Sequence, residues 1–251
     1  MAAGGNTHDQ KIKRMYGTVL DHVGGWDYAK QTHLVCKIEG DDVPIVKTND
    51  PKGAGNVHAE ELLIDDLERN NTLNETNGSS GADPDLSEDF KNMSLNESKK
   101  KCNDKESNLP DLLNITVYIN NSPCSHPDHE CTDKLIKFLD RYRRIQLNLY
   151  VTSLFNIRRE SCISRRETHS VNELIHTITC DGLKNLMHHE RCEIRAFTKK
   201  DWEDLFGIAN VSQAVSDQLL GRYGTTTAGN DRSREEEDKR MQGDLNYIHA
   251  N

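Results

Sequence analysis

The chain has 251 residues, 34% hydrophobic and 29% charged, with a formal net charge of −9, which excludes a uniformly basic surface that coats nucleic acid and makes any polynucleotide contact local. A mean hydropathy of −0.79 is low for a wholly globular chain, so a substantial unfolded part is expected. No run of about 18 apolar residues is present to cross a membrane, and seven cysteines, an odd number, do not suit a secreted disulfide framework.

Along the chain, residues 10–23 put Ile12, Met15, Tyr16, Val19, Leu20 and Val23 at helical spacing, stopped by Gly24-Gly25. Residues 33–40 and 43–48 read as two strands of a hairpin, joined by Gly40-Asp41-Asp42. A glycine-rich loop ending at Asn56 leads to His58, and Leu62, Leu63 and Leu67 give the helix after it a buried face. From 68 to 109 the composition turns to Asn, Ser and charge without either period; such a segment cannot offset its ordering entropy and is expected to be a disordered polar insert. A lysine run, Lys99 to Lys101, lies within it and is read as solvated charge.

Order returns at Asn114, where Ile115, Val117 and Ile119 alternate with polar residues in a strand ending beside Pro123-Cys124. Leu135, Phe138, Leu139 and Tyr142 mark a helix, and Ile145, Leu147, Leu149 and Val151 a strand. A helical stretch from Val171 to Met187 is expected to break near Asp181-Gly182. A short strand at 192–197 and a helix holding Trp202, Leu205 and Phe206 follow. The order α-β-β-α-(insert)-β-α-β-α-β-α predicts one α/β domain over 8–67 and 110–222, with 223–251 as a polar C-terminal tail. The N-terminus lacks the apolar core of an export signal, so a soluble protein, cytoplasmic or nuclear and not secreted, is expected, with no membrane contact.

Two motifs carry chemistry. His58-Ala59-Glu60 supplies an imidazole and a carboxylate, and Pro123-Cys124 with Cys131 supplies two thiolates. Three N and S ligands leave one tetrahedral position of Zn²⁺ open for water, and a carboxylate beside the water can carry its protons. On one regular helix, Cys124 and Cys131 would be separated by about 10.5 Å of rise, whereas two thiolates on one zinc need sulfurs within roughly 4 Å. Residues 125–130 therefore have to bulge as a loop, consistent with Pro127, and the helix has to start near Cys131. A compact zinc knuckle of Cys124, His126, His129 and Cys131 is an alternative; it leaves His58 and Glu60 without a role.

From about residue 33 to 210, excluding the insert, the chain resembles the AID/APOBEC polynucleotide cytidine deaminases. The resemblance rests on HLVCKIEG, VHAEELLIDDL, ITVYINNSPC, IQLNLYVTSLF and GLKNLMHHERCEIRAFTKKDWEDLF. The six-residue cysteine gap after Asn120-Asn121-Ser122 looks most like the family's divergent fourth branch and its invertebrate or algal relatives. The resemblance implies a cytidine deaminase-like three-layer α/β/α fold with a five-stranded mixed sheet and zinc on His58, Cys124 and Cys131. It further implies Glu60 as general acid/base, and hydrolytic conversion of cytosine to uracil in single-stranded DNA or RNA. Asn56, Asn121, Ser122, Phe155, Arg158 and Arg159 are the substrate contacts it suggests. Phe155 would stack on a base flanking the target or, alternatively, cap the core; Arg158, Arg159, Arg165 and Arg166, with Arg141, Arg143 and Arg144, would supply local positive charge if they face the pocket. The family often has an aromatic where this chain has Asn121. A free cytidine or deoxycytidine deaminase and a non-catalytic zinc-containing nucleic-acid-binding module are the rival readings.

Overall fold

The computed structural model describes residues 31–49, 57–69, 112–163, 171–226 and 232–251. The expected helix at 10–23, the loop carrying Asn56, residues 70–109 of the insert, and Arg165 and Arg166 lie outside the described residues.

Five strands form one mixed sheet in the order β2-β1-β3-β4-β5: β1 (His33–Ile38), β2 (Ile45–Thr48), β3 (Leu113–Ile119), β4 (Ile145–Val151) and β5 (Cys192–Ala196). The hairpin partners β1 and β2 are antiparallel, β1 also runs antiparallel to β3, and β3, β4 and β5 are mutually parallel. Ile119 aligns with Val151, and Val151 with Ala196, so the three parallel strands end together along one edge of the sheet. In open α/β sheets that carboxyl edge is where sites form.

The period of two in the strands divides the core between the sheet's faces. Leu34, Cys36, Ile115, Val117, Leu147, Leu149 and Ile194 point to one face. There they pack against α1 (Ala59–Arg69), α2 (Cys131–Arg141), α4 (Glu173–Met187) and α7 (Arg234–Ala250). Between β4 and α4 lies one short turn of helix, α3 (Glu160–Ile163). Val35, Tyr118, Tyr150 and Phe197 line the other face, under α5 (Lys199–Ile208) and α6 (Gln213–Gly221), with Trp202, Leu205 and Phe206 at the centre. Helices on both faces make this the expected three-layer α/β architecture.

Three expectations are corrected. The helix expected to break at Asp181-Gly182 is continuous from Glu173 to Met187. Gly182 has a packing role there: a Cβ would lie 1.9 Å from Ser125 Oγ and 2.7 Å from Ser125 Cβ. The insert expected from 68 begins later, because Glu68 and Arg69 complete α1. The expected tail from 223 contains α7, opened by a Ser233/Glu236 capping box and burying Met241, Leu245 and Ile248. Its polarity misled because much of its inward surface is charge neutralised in pairs. Arg234 pairs with Asp238, which also accepts from Trp202 Nε1 (3.1 Å) and Tyr223 OH (3.0 Å).

Candidate metal centre

The site forms where the start of α1, the loop after β3 and the start of α2 meet. His58 is the residue capping α1: its carbonyl accepts the first helical bond, from Leu62 N at 3.1 Å. Glu61, three residues on, reaches back to accept the His58 backbone N–H at 2.7 Å, one half of a capping box. Burial opposes ionisation of Glu61, but the Lys134 ion pair and that backbone N–H hold its pKa below the ordinary range. His129 lies on the same group, its Nδ1 3.6 Å from Glu61 Oε2 and its ring stacked on His58 at 3.7 Å between centroids. The imidazole of His58 is thus held from its backbone and from one ring face.

The loop from Cys124 to Glu130 folds back on itself. His129 N and Glu130 N both donate to His126 O, at 2.9 and 2.8 Å, and Thr132 N donates to Cys124 O at 3.1 Å. Glu130 takes the left-handed conformation, φ +46°, to turn the chain into α2; a non-glycine residue there costs on the order of 1–2 kcal/mol. Cys131 is therefore the first helical residue, as the rise argument requires. The Ser125 and Thr132 hydroxyls, 2.6 Å apart, pin the loop to the first turn of α2, with the bare Gly182 of α4 pressed against both.

This folding brings three donors together. His58 Nδ1 is 3.3 Å from Cys124 Sγ and 3.3 Å from Cys131 Sγ, and the sulfurs are 3.7 Å apart. Tetrahedral ligation at 2.0–2.3 Å implies edges of about 3.8 Å between sulfurs and about 3.6 Å between nitrogen and sulfur. The triad fits one metal ion, with the fourth corner outside the protein ligand set. Without a metal the triad holds protons that ligation displaces: the hydrogen bond with Cys124 pushes the Cys131 thiol up. The sulfur pair holds Cys124 well below the usual thiol range, through the hydrogen bond with Cys131 and then through His58, so one thiolate forms readily. The bond to Cys124 moves the His58 pKa upward. His126 and His129 are not members of this donor set. The knuckle arrangement is not formed.

Glu60, in the first turn of α1, is 3% exposed, and its Oε2 has no hydrogen-bond partner among the described residues. Burial pushes its pKa up to about 7; a cation at the triad would partly offset this by favouring the carboxylate. This carboxylate is near enough to the triad for Cys124 and His58 to act on it electrostatically, and a buried carboxylate with an open acceptor is able to exchange protons with a neighbouring group.

The expected substrate contacts separate. Asn121 and Ser122 are buried between β3 and Cys124. Asn121 Nδ2 donates to Thr32 Oγ1 (3.2 Å), and Ser122 Oγ accepts from Phe155 N (3.0 Å), so Ser122 fixes Phe155 through its backbone. Phe155 is half-buried at the start of the loop after β4, and Arg158, partly exposed, pairs with Glu173. Arg159 was expected on the rim, but its guanidinium is buried between Glu237 and Asp244 of α7. Turning outward would leave two carboxylates buried without that partner. Arg141 pairs with Glu68 at the far end of α2 from Cys131, about 15 Å along the helix, so it adds no charge at the mouth.

Glu61, Lys134, Gly182 and Asp244 were missed as supports. Only Glu61 had a sequence signal, its capping-box spacing from His58. No helix among the described residues is long and apolar enough to cross a membrane. No protein-family model matches the chain, and no curated protein matches it.

Proposed function

We propose that this protein is a zinc-dependent hydrolase that deaminates cytosine to uracil in single-stranded DNA or RNA, as its resemblance to the AID/APOBEC family implies. The observation that carries the reading is Glu60: a buried carboxylate with an unpartnered oxygen, two residues after His58 of the donor triad His58, Cys124 and Cys131. A purely structural metal site has no use for such a group, because a buried carboxylate without full hydrogen bonding opposes folding. The donor set favours zinc, since one imidazole and two thiolates are soft ligands and leave the fourth place of a catalytic centre open.

His58, Cys124 and Cys131 would hold the ion, which when bound activates water at neutral pH. Glu60 would take a proton from the attacking water and deliver it to N3 of the cytosine ring. It then assists transfer of a second proton to the departing amino group, so that water and cytosine yield uracil and ammonia. Burial, which pushes the Glu60 pKa up, opposes the pull of a bound cation toward the carboxylate, so one group can serve in both directions. Among the described residues, Phe155 and Arg158 on the loop after β4 are candidates to meet a flanking nucleotide.

Arg159 gives one ground for a second reading, deamination of free cytidine, because its burial removes a cation expected to meet a polynucleotide backbone. The deciding assay measures uracil formation by the purified, zinc-loaded full chain on cytosine-containing DNA and RNA oligonucleotides and on free cytidine. Product from an oligonucleotide, with free cytidine far slower, is expected. Product from free cytidine alone would favour the second reading.

A further inference from the structure

We propose that the last helix, α7, is a positioning strut for the loop after β4, with Asp244 as its key residue; this rests on the reading above, in which that loop meets the substrate. Asp244 is 3% exposed and turned toward the loop. Its carboxylate accepts from Arg159 Nε at 2.6 Å, Ser161 N at 2.8 Å and Ser161 Oγ at 2.7 Å. One turn earlier, Arg240 donates to Ser161 O at 3.2 Å and to Ser161 Oγ at 3.3 Å, while Glu237 takes the other side of Arg159.

At its opposite end the same loop is tied to the metal-centre strand. Thr152 Oγ1 donates to Asn120 O at 3.0 Å, Ser122 N to Ser153 O at 2.8 Å, and Phe155 N to Ser122 Oγ at 3.0 Å. Leu154 and Ile157 are buried beneath it. Residues 155–158 thus run between two anchors, one two residues before Cys124 and one on α7, with Ile157 buried and Arg158 N donating to His176 of α4 at 3.1 Å, and they carry the half-buried Phe155 and the partly exposed Arg158.

The division of labour within α7 separates positioning from folding. Met241, Leu245 and Ile248 pack into the main core and would hold the helix to the sheet without any contact to the loop. Asp244 and Arg240 add bonds directed at Arg159 and at Ser161 in the single turn of α3, none of which holds α7 itself to the sheet. A buried carboxylate is retained when its donors satisfy it, and here two of its three are the backbone and hydroxyl of Ser161, in the single turn of α3 that ends this loop.

The test compares the zinc-loaded full chain with Ser161→Ala and Asp244→Asn, reading zinc content, hydrogen exchange of amides 155–161, and kcat and KM on a cytosine-containing oligonucleotide. Zinc content should be unchanged and exchange in 155–161 should be about tenfold faster or more, reflecting easier local opening. KM should rise by about fivefold or more, as expected when a stacking residue loses its place, with kcat nearly constant. Parental exchange in Ser161→Ala overturns the proposal, as does a fall in kcat at constant KM. If Asp244→Asn does not fold, Ser161→Ala decides alone. If the parent forms no product, the reading of the metal centre fails and the exchange comparison still decides the strut.

Discussion

Replacing Gly182 by alanine sets two calculable effects against each other. In a helix interior, glycine to alanine is favourable by about 0.8–1.0 kcal/mol, and Gly182 lies well inside the 15-residue α4. The added methyl, however, would sit 1.9 Å from Ser125 Oγ, 2.7 Å from Ser125 Cβ and 2.7 Å from Thr132 Oγ1. The hydroxyl can rotate away, but a Cβ cannot, so either α4 or the loop behind Cys124 has to move. Overpacking of this kind costs about 1–3 kcal/mol, so the net change should be a loss of up to about 2 kcal/mol. Because the displaced atoms are those that pin Cys124 to Cys131, zinc affinity should fall about 10–100-fold, the range for disturbed supports of a metal ligand. Gly243 of α7 provides the control: nothing lies within 4 Å of its added Cβ, so Gly243→Ala should stabilise by about 0.5–1 kcal/mol. Denaturant unfolding and chelator competition on both variants check the pair. A Gly182→Ala protein more stable than the parent by the helix-propensity increment, with unchanged zinc retention, would refute the close-packing argument.

Leu245→Ala, at a fully buried position of α7, should cost about 2–5 kcal/mol in equilibrium unfolding, whereas a residue of a detached tail would cost almost nothing. Burial alone would raise the pKa of Asp201, but the Arg195 guanidinium at 2.6 and 2.8 Å and the Thr198 hydroxyl and N–H hold it below the ordinary range. Its stabilisation is therefore complete above the unfolded value near 4 and lost as pH falls through the lower folded value. Asp201→Asn should flatten this part of the acid limb in unfolding curves between about pH 2 and 6, and an unchanged limb would contradict the assignment. His58→Ala should abolish retention of zinc through gel filtration, while His126→Ala should leave it intact; the reverse pattern would restore the knuckle.

The strands β3 and β4 were legible because alternation is a property of the strand itself: Ile145, Leu147, Leu149 and Val151 are buried, with less buried residues between them. The metal-ligand triad was legible for a related reason. Its chemistry is set by residue type and short spacing, and the excess rise between Cys124 and Cys131 was enough to demand the loop before α2. What failed depended on partners far along the chain. Arg159 reads as a surface cation until Glu237 and Asp244, 78 and 85 residues later, close around it. For the same reason α7 was invisible to hydrophobic periodicity. Gly182 was misread because a glycine that admits a neighbouring side chain is written like one that ends a helix.

The most direct measurement takes the parent and Glu60→Gln, which keeps the side chain's size and removes its proton chemistry, and determines bound zinc and uracil formation on single-stranded oligonucleotides. About one zinc per chain is expected in both, with product from the variant reduced about 100–10,000-fold. Equal turnover by the two proteins, or zinc in the parent with no product from any DNA or RNA substrate, would contradict the account.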